Sequence, residues 1–92
     1  MPERKLQRIL KIANQRGLHA RAAAKFAQVA SKFEAEINVS RAGQTVSARS
    51  IMGLMMLGAA IGYDIKLEVS GSDAEYAMQA LIDLIEGKFD ED

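Results

Sequence analysis

The 92-residue chain contains no cysteine and no tryptophan, and it has a single histidine. Without cysteine it can form neither a disulfide nor a thiolate metal site, and one histidine argues against a zinc site, so we expect no metal or other cofactor. The formal net charge is zero, which gives no support for binding nucleic acid through overall charge. No apolar run approaches the ~20 residues of a membrane-spanning helix, and the N-terminus lacks the apolar core of a signal peptide. We therefore expect a cytoplasmic protein that does not insert into a membrane.

The composition that is present is typical of one globular domain. Hydrophobic residues make up 49% of the chain and charged residues 26%, and the length allows one modest core. No linker, internal repeat or low-complexity run divides the sequence. We therefore expect residues 1–92 to form a single domain and to be a monomer.

Alternation of apolar and polar residues predicts four strands. They cover residues 5–13, 36–40, 45–48 and 64–70, and the two middle strands should form a hairpin across the turn at 41–44. The last strand alternates most regularly, and its polar residues imply that one face of the sheet is solvated.

Apolar residues spaced three and four apart predict helices over 20–32 and from Ala74 onward, with a short apolar helix after Ser50. Ser72 and Glu75 fit a capping box at the start of the last helix, and Gly87 fits its end. The order β-α-β-β-α-β-α predicts an α+β open-faced two-layer sandwich, in which three helices cover one face of a mainly antiparallel four-stranded sheet. The pattern leaves the strand order open.

His19 stands where the pattern changes from strand to helix, which places it at the first turn of the helix over 20–32. Free backbone N–H groups and the positive end of the helix dipole favour a phosphate at that point. Arg21 adds a planar cation that suits phosphate oxygens. The combination suggests a phosphohistidine. The alternative is a polar residue in a turn, with its ring bonded to a backbone group.

Residues 51–60 carry no polar side chain, and a helix this apolar cannot bury its whole circumference in a small domain. Leu54 and Leu57 point to one side of the helix, while Ile51, Met52 and Met55 cluster on the other. Either all five belong to the core, or the second group is an exposed patch that docks partners. Methionine suits a surface that must fit several partners in turn.

Two segments resemble the HPr family, the histidine-containing phosphocarriers of bacterial phosphotransferase systems. Residues 17–26 (GLHARAAAKF) resemble its active-site segment, and residues 50–58 (SIMGLMMLG) resemble its regulatory serine and the helix after it. The resemblance runs from about Leu10 to the C-terminus. It departs at Ala22, where the family commonly has proline. Residues 89–92 (FDED) resemble the C-terminus of nitrogen-branch members, although they are also most simply a solubilising acidic end.

The resemblance implies the same fold and a stoichiometric phosphoryl carrier rather than an enzyme. His19 would accept phosphate on Nδ1 from phosphorylated enzyme I, or from its nitrogen-branch relative, and pass it to a histidine of an enzyme IIA. Arg21 would stabilise the phosphate. Ser50, which fits a helix N-cap on the residues alone, would also be the target of an HPr serine kinase/phosphorylase. Docking residues would be Ala20, Ile51, Met52 and Met55.

Two other functions compete with the carrier. An RNA-binding αβ domain needs aromatic residues on its sheet, and the predicted strands contain none. A non-catalytic regulatory binding domain would use the patch of Ile51, Met52 and Met55 without any need for His19 and Arg21. Transfer of phosphate through His19 separates the carrier from both.

Overall fold

Residues 5–91 fold into four strands and three α-helices in the order expected from the sequence, with one 3-10 turn after the last helix. The structure is a computed structural model and describes residues 5–91. The elements are β1 (Lys5–Lys11), α1 (Ala20–Ala30), β2 (Glu36–Arg41), β3 (Gln44–Ser47), α2 (Ile51–Met56), β4 (Asp64–Ser70), α3 (Ala74–Glu86) and the 3-10 turn (Lys88–Asp90). Within the described range no helix is long and apolar enough to cross a membrane.

The four strands form one sheet in the order β1-β4-β2-β3, and all three pairings are antiparallel. The regular alternation of β4 accounts for its central place, because Ile65, Leu67 and Val69 are buried while the polar residues between them reach the other face. The predicted α+β open-faced sandwich is confirmed, and the strand order that the sequence left open is now known.

The core lies between the sheet and the helices. Helix α1 contributes a face of small residues around Phe26, which is fully buried. The buried alanines at 22, 23, 27 and 30 lie on the same face of the helix as Phe26, so this face packs in the core. Helix α1 packs against both α2 and α3, and this packing fixes the direction in which its first turn points.

Four predicted elements have bounds that are wrong by one or two residues, and hydrogen bonds in the structure explain the differences. Strand β1 ends at Lys11 because Ile12 exchanges backbone hydrogen bonds with the turn at Gly62 and Tyr63 instead of with β4. Helix α1 ends at Ala30, where the guanidinium of Arg49 donates to carbonyls at the helix end and just beyond it. Strand β2 ends at Arg41 rather than Ser40, and β3 covers 44–47 rather than 45–48, because Arg41 pairs with Gln44 and the hairpin turn is tighter than expected.

The predicted capping box of α3 is also wrong. The N-cap is Asp73 rather than Ser72, and its side chain makes no capping hydrogen bond. The Asp73 carboxylate instead accepts from the backbone N–H of Glu34 at 2.8 Å, and the Ser72 hydroxyl donates to the Glu34 carbonyl at 3.4 Å. Both side chains therefore tie the α1–β2 connection to α3 rather than cap the helix.

Candidate functional site

His19 is the N-cap residue of α1, as the sequence predicted. Its backbone is extended, with φ −75° and ψ 179°, and its side chain makes no capping hydrogen bond. The carbonyl of His19 accepts the first helical hydrogen bond from Ala23 at 2.8 Å. The N–H groups of the first turn have no carbonyl partner within the helix and point out of its N-terminal end, where His19 is the N-cap. The side chain is 24% exposed, which leaves the ring accessible to a reacting group.

The turn before His19 requires glycine at position 17. Gly17 has φ +63°, and a Cβ there would lie 2.2 Å from the carbonyl oxygen of Ala59. That same oxygen accepts a hydrogen bond from the N–H of Leu18 at 2.9 Å, so the loop after α2 holds the turn in place. As a result, the Gly17 carbonyl oxygen lies 3.1 Å from Nδ1 of His19.

An open cleft of about 350 Å³ adjoins the imidazole. It is lined by Gln15, Arg16, His19, Arg21, Lys25, Phe89, Asp90 and Glu91. Arg21 is exposed and has no hydrogen-bond or ion-pair partner within residues 5–91. An arginine in the first turn of a helix is unfavourable beside the positive helix end, unless an anion joins it there. The cleft therefore has the charge and the donors of an anion site.

Lys25 and the C-terminal turn close one side of the cleft. The Lys25 ammonium donates to the Phe89 carbonyl at 2.8 Å and lies 3.7 Å from the Asp90 carboxylate. Phe89 is 1% exposed, so its ring anchors this turn in the core. Phe89 is thus a packing residue, as an aromatic side chain predicts, and the Asp90 side chain is exposed, as a solubilising end requires. The solubilising interpretation is wrong for Glu91, whose side chain is only 19% exposed, while Asp92 lies outside the described residues.

The sequence reasoning missed two residues beside the imidazole. Asn14 is buried, and its side-chain amide donates to the Gly17 carbonyl at 2.8 Å and to the Glu91 carboxylate at 3.1 Å. The Glu91 oxygen in turn lies 3.5 Å from Nδ1 of His19. Asparagine near a glycine in a turn often bonds to the backbone, which was an available signal for Asn14. No local pattern indicates Glu91, because it is 72 positions from His19 along the chain.

Ser50 is the N-cap of α2, as predicted. Its hydroxyl oxygen accepts from the N–H of Gly53 at 2.9 Å. A Cβ at position 53 would lie 2.9 Å from that oxygen and 3.0 Å from Cβ of Val46, so glycine there keeps the cap compact. Ser50 lies at the N-terminal end of α2, and the loop after α2 contains Ala59, which contacts the turn before His19. Helix α2 therefore links the segment around Ser50 to the segment around His19.

The apolar helix α2 divides as its spacing predicted. Leu54 and Leu57 are buried at 0% and 2% exposure, whereas Ile51, Met52 and Met55 are exposed at 42%, 70% and 40%. The alternative in which all five belong to the core is therefore wrong. Ala20, at the start of α1, is exposed as well.

The chain resembles known proteins over nearly its whole length. Residues 6–87 match the sequence family described as "PTS HPr component phosphorylation site". Phosphocarrier protein HPr of Cupriavidus necator is 50% identical over 94% of this chain and 97% of that protein, and phosphocarrier protein NPr of Shewanella violacea is 46% identical over 95% and 96%. The crystal structure of HPr-C-His from Thermoanaerobacter tengcongensis superposes with a TM-score of 0.90 at 48% identity, covering 95% of this chain and 98% of that one.

Proposed function

The chain belongs to the HPr family of phosphocarrier proteins, and from that premise we propose that His19 is the residue that carries the phosphoryl group. The protein is a phosphocarrier of a phosphotransferase system, and the family implies phosphotransfer partners such as enzyme I and enzyme IIA. The alternative of a regulatory binding domain that never carries phosphate is not favoured by these relatives.

One observation carries the assignment of His19. The ring of the single histidine lies at the positive end of α1, in a cleft that also contains the cations of Arg16, Arg21 and Lys25. A phosphoryl group on the ring would meet free N–H groups of the first helical turn and charge-assisted hydrogen bonds from these side chains. Arg21 is the best placed of them because it lies in the first turn of α1, two residues after His19. Its planar guanidinium matches phosphate oxygens and has no competing partner within residues 5–91, whereas Arg16 is equally free but precedes the helix.

The transfer needs only the imidazole and this electrostatic surrounding. The lone pair of an unprotonated ring nitrogen attacks phosphorus, a new N–P bond forms, and the N–P bond of the donor phosphohistidine breaks. The electron pair of the broken bond returns to the donor imidazole, which gains a proton as the His19 ring loses one, so no oxidant, metal or nucleotide takes part. The family resemblance points to Nδ1 as the accepting atom. The same exchange in reverse passes the group to a histidine of an enzyme IIA, and the carrier itself turns over no substrate.

We assign docking of successive partners to the exposed side chains of Ala20, Ile51, Met52 and Met55. Three of them form the apolar face of α2, and the loop after α2 contacts the turn that holds His19. Unbranched methionine side chains can repack against different partners, which is what a carrier with a donor and an acceptor requires. The donor is of the enzyme I class, from either the sugar or the nitrogen branch, and contact is made by the monomer in the cytoplasm.

We assign a regulatory role to Ser50 in addition to its capping role. A phosphate on its hydroxyl would place about two negative charges at the edge of the apolar face of α2. The helix N-terminus tolerates an anion, so the fold would survive while docking weakens. An HPr serine kinase/phosphorylase is the kind of partner that would add and remove this group.

The test is phosphorylation of the wild-type chain and of His19→Ala by enzyme I and phosphoenolpyruvate, followed by intact mass. We expect one phosphoryl group on the wild type, labile in acid and stable in alkali as a phosphoramidate is, and none on His19→Ala. Circular dichroism and the melting midpoint of the variant should remain near those of the wild type, because the side chain makes no capping bond. Full phosphorylation of His19→Ala would refute the assignment of His19 as the phosphoryl-carrying residue.

A further inference from the structure

The two oxygens that face Nδ1 of His19 are both held by one buried side chain. The Gly17 carbonyl oxygen lies 3.1 Å from Nδ1, and the Glu91 carboxylate oxygen lies 3.5 Å from it. Asn14 donates one hydrogen bond to each of these oxygens, at 2.8 Å and 3.1 Å. Because Asn14 is 1% exposed, neither bond is replaced by solvent without local opening. Asn14 thus orients both oxygens toward the His19 ring.

Two acceptors beside Nδ1 mean that Nδ1 carries a hydrogen in this arrangement, since a lone pair facing two oxygens would be repelled. In a neutral ring the lone pair then lies on Nε2. Attack through Nδ1 requires the Nδ1 hydrogen to leave and the ring to lose its contact with Glu91. The arrangement seen here is therefore a resting state rather than the reacting one.

The charges that line the cleft also indicate that the arrangement with Glu91 beside His19 is a resting state. Three cations and two carboxylates line the cleft, which gives it a formal charge of +1, or +2 once Glu91 is withdrawn. A phosphoryl group brings about two negative charges to the ring. Glu91 would then be a like charge within a few ångströms of the incoming group, whereas Asp90 is directed toward solvent with 81% of its side chain exposed.

The contacts that hold the C-terminal turn do not involve the Glu91 carboxylate. Lys88, Phe89 and Asp90 all have positive φ, at 57°, 54° and 62°, which is costly for residues other than glycine. The buried Phe89 ring and the bond from Lys25 to the Phe89 carbonyl hold this conformation. Glu91 follows immediately, and among residues 5–91 its carboxylate is held in the cleft by its bond to Asn14 and its contact with His19.

From these contacts we propose that the Glu91 carboxylate is an intramolecular occupant of the phosphoryl site, seated by Asn14, which must withdraw before His19 accepts the phosphoryl group. The inference rests on the proposed role of His19 and adds a competing anion to it. Glu91 holds the resting ring in one orientation and opposes entry of the dianion, and its withdrawal leaves the site to Arg21 and Lys25.

The experiment compares Glu91→Gln with the matched control Glu86→Gln, an exposed glutamate at the end of α3 outside the cleft. Single-turnover acceptance of the phosphoryl group from phosphorylated enzyme I should be about fivefold faster or more in Glu91→Gln. This factor corresponds to removing the repulsion between two like unit charges about 4 Å apart in water. Glu86→Gln should react at the wild-type rate. Equal or slower acceptance by Glu91→Gln would overturn the proposal.

A measurement on the wild type keeps the test independent of how the variant folds. Nuclear magnetic resonance should show cross-relaxation between the Glu91 side chain and the His19 ring before phosphorylation and its loss afterwards, with a shift of the Asn14 side-chain amide. Unchanged Asn14 and Glu91 signals in the phosphorylated protein would refute withdrawal while leaving His19 as the carrier. A wild type that takes no phosphoryl group on His19 would overturn both proposals.

Discussion

Replacement of Gly17 by alanine should damage both the fold and the site, and the structure gives the size of the effect. The new Cβ would lie 2.2 Å from the Ala59 carbonyl oxygen and 2.9 Å from Cα of Ala60. Both are backbone atoms, and Ala59 would have to retreat by about 1 Å to reach ordinary contact. That movement breaks the hydrogen bond from Leu18 to Ala59.

The expected loss of stability follows from two terms. Alanine at positive φ costs about 1–2 kcal/mol, and loss of one backbone hydrogen bond costs about 1 kcal/mol. Gly17→Ala should therefore lower the free energy of unfolding by about 2–3 kcal/mol, which is about 10–20 °C in melting midpoint for a domain of this size. Phosphoryl acceptance should fall as well, because the Gly17 carbonyl that faces His19 moves with the turn.

Gly43→Ala is the matched control. Gly43 has φ +81°, and a Cβ there meets nothing within 4 Å, so this variant carries the backbone cost of about 1–2 kcal/mol without the clash. Urea and thermal unfolding of both variants, beside transfer kinetics, separate the terms. Gly43→Ala should keep the wild-type transfer rate. If Gly17→Ala is as stable and as active as Gly43→Ala, the contact with Ala59 does not hold the site.

The other predictions concern α2 and Arg21. Met52→Glu should raise the dissociation constant for enzyme I by about tenfold or more, about 1.4 kcal/mol, with little loss of stability, whereas Leu54→Ala should cost ~2–5 kcal/mol of stability as a buried truncation. Calorimetric binding and thermal unfolding test this pair, and equal destabilisation by both would refute a docking role for Met52. Ser50→Asp should keep the helix cap and weaken docking by about tenfold, whereas Ser50→Ala should cost about 1 kcal/mol of stability without adding charge. Arg21→Ala should slow transfer by about 10- to 100-fold, the worth of a charge-assisted hydrogen bond, while binding of unphosphorylated enzyme I changes less. Weakened binding at an unchanged transfer rate would reverse that assignment.

The local sequence pattern predicted the structure correctly where a segment packs against the core through one face only. Strand β4 has the predicted bounds because its inward and outward residues alternate without exception. The two sides of α2 are as predicted because Leu54 and Met52 lie on opposite sides of a regular helix. The position of His19 followed from the change of period at its own place in the chain.

The sequence reasoning failed where a side chain bonds across the fold. Ser72 and Glu75 match a capping pattern, yet Ser72 and Asp73 bond to the backbone of Glu34, about 40 positions away. Glu91 looked like part of an acidic end because its partners, Asn14 and His19, are distant in sequence. The buried Phe89 ring anchors the turn that brings Glu91 to the cleft, and an isolated aromatic residue gives no sign in the sequence of where it packs.

Onward transfer from the isolated phosphorylated protein tests the central claim most directly. The carrier is phosphorylated, separated from enzyme I, and mixed with an unphosphorylated enzyme IIA, and the intact masses of both proteins are followed with time. The account predicts that each phosphoryl group lost from His19 appears on the enzyme IIA, and that this exchange is much faster than hydrolysis. A group that stays on the protein, or is released only as inorganic phosphate while the enzyme IIA remains unmodified, would contradict it.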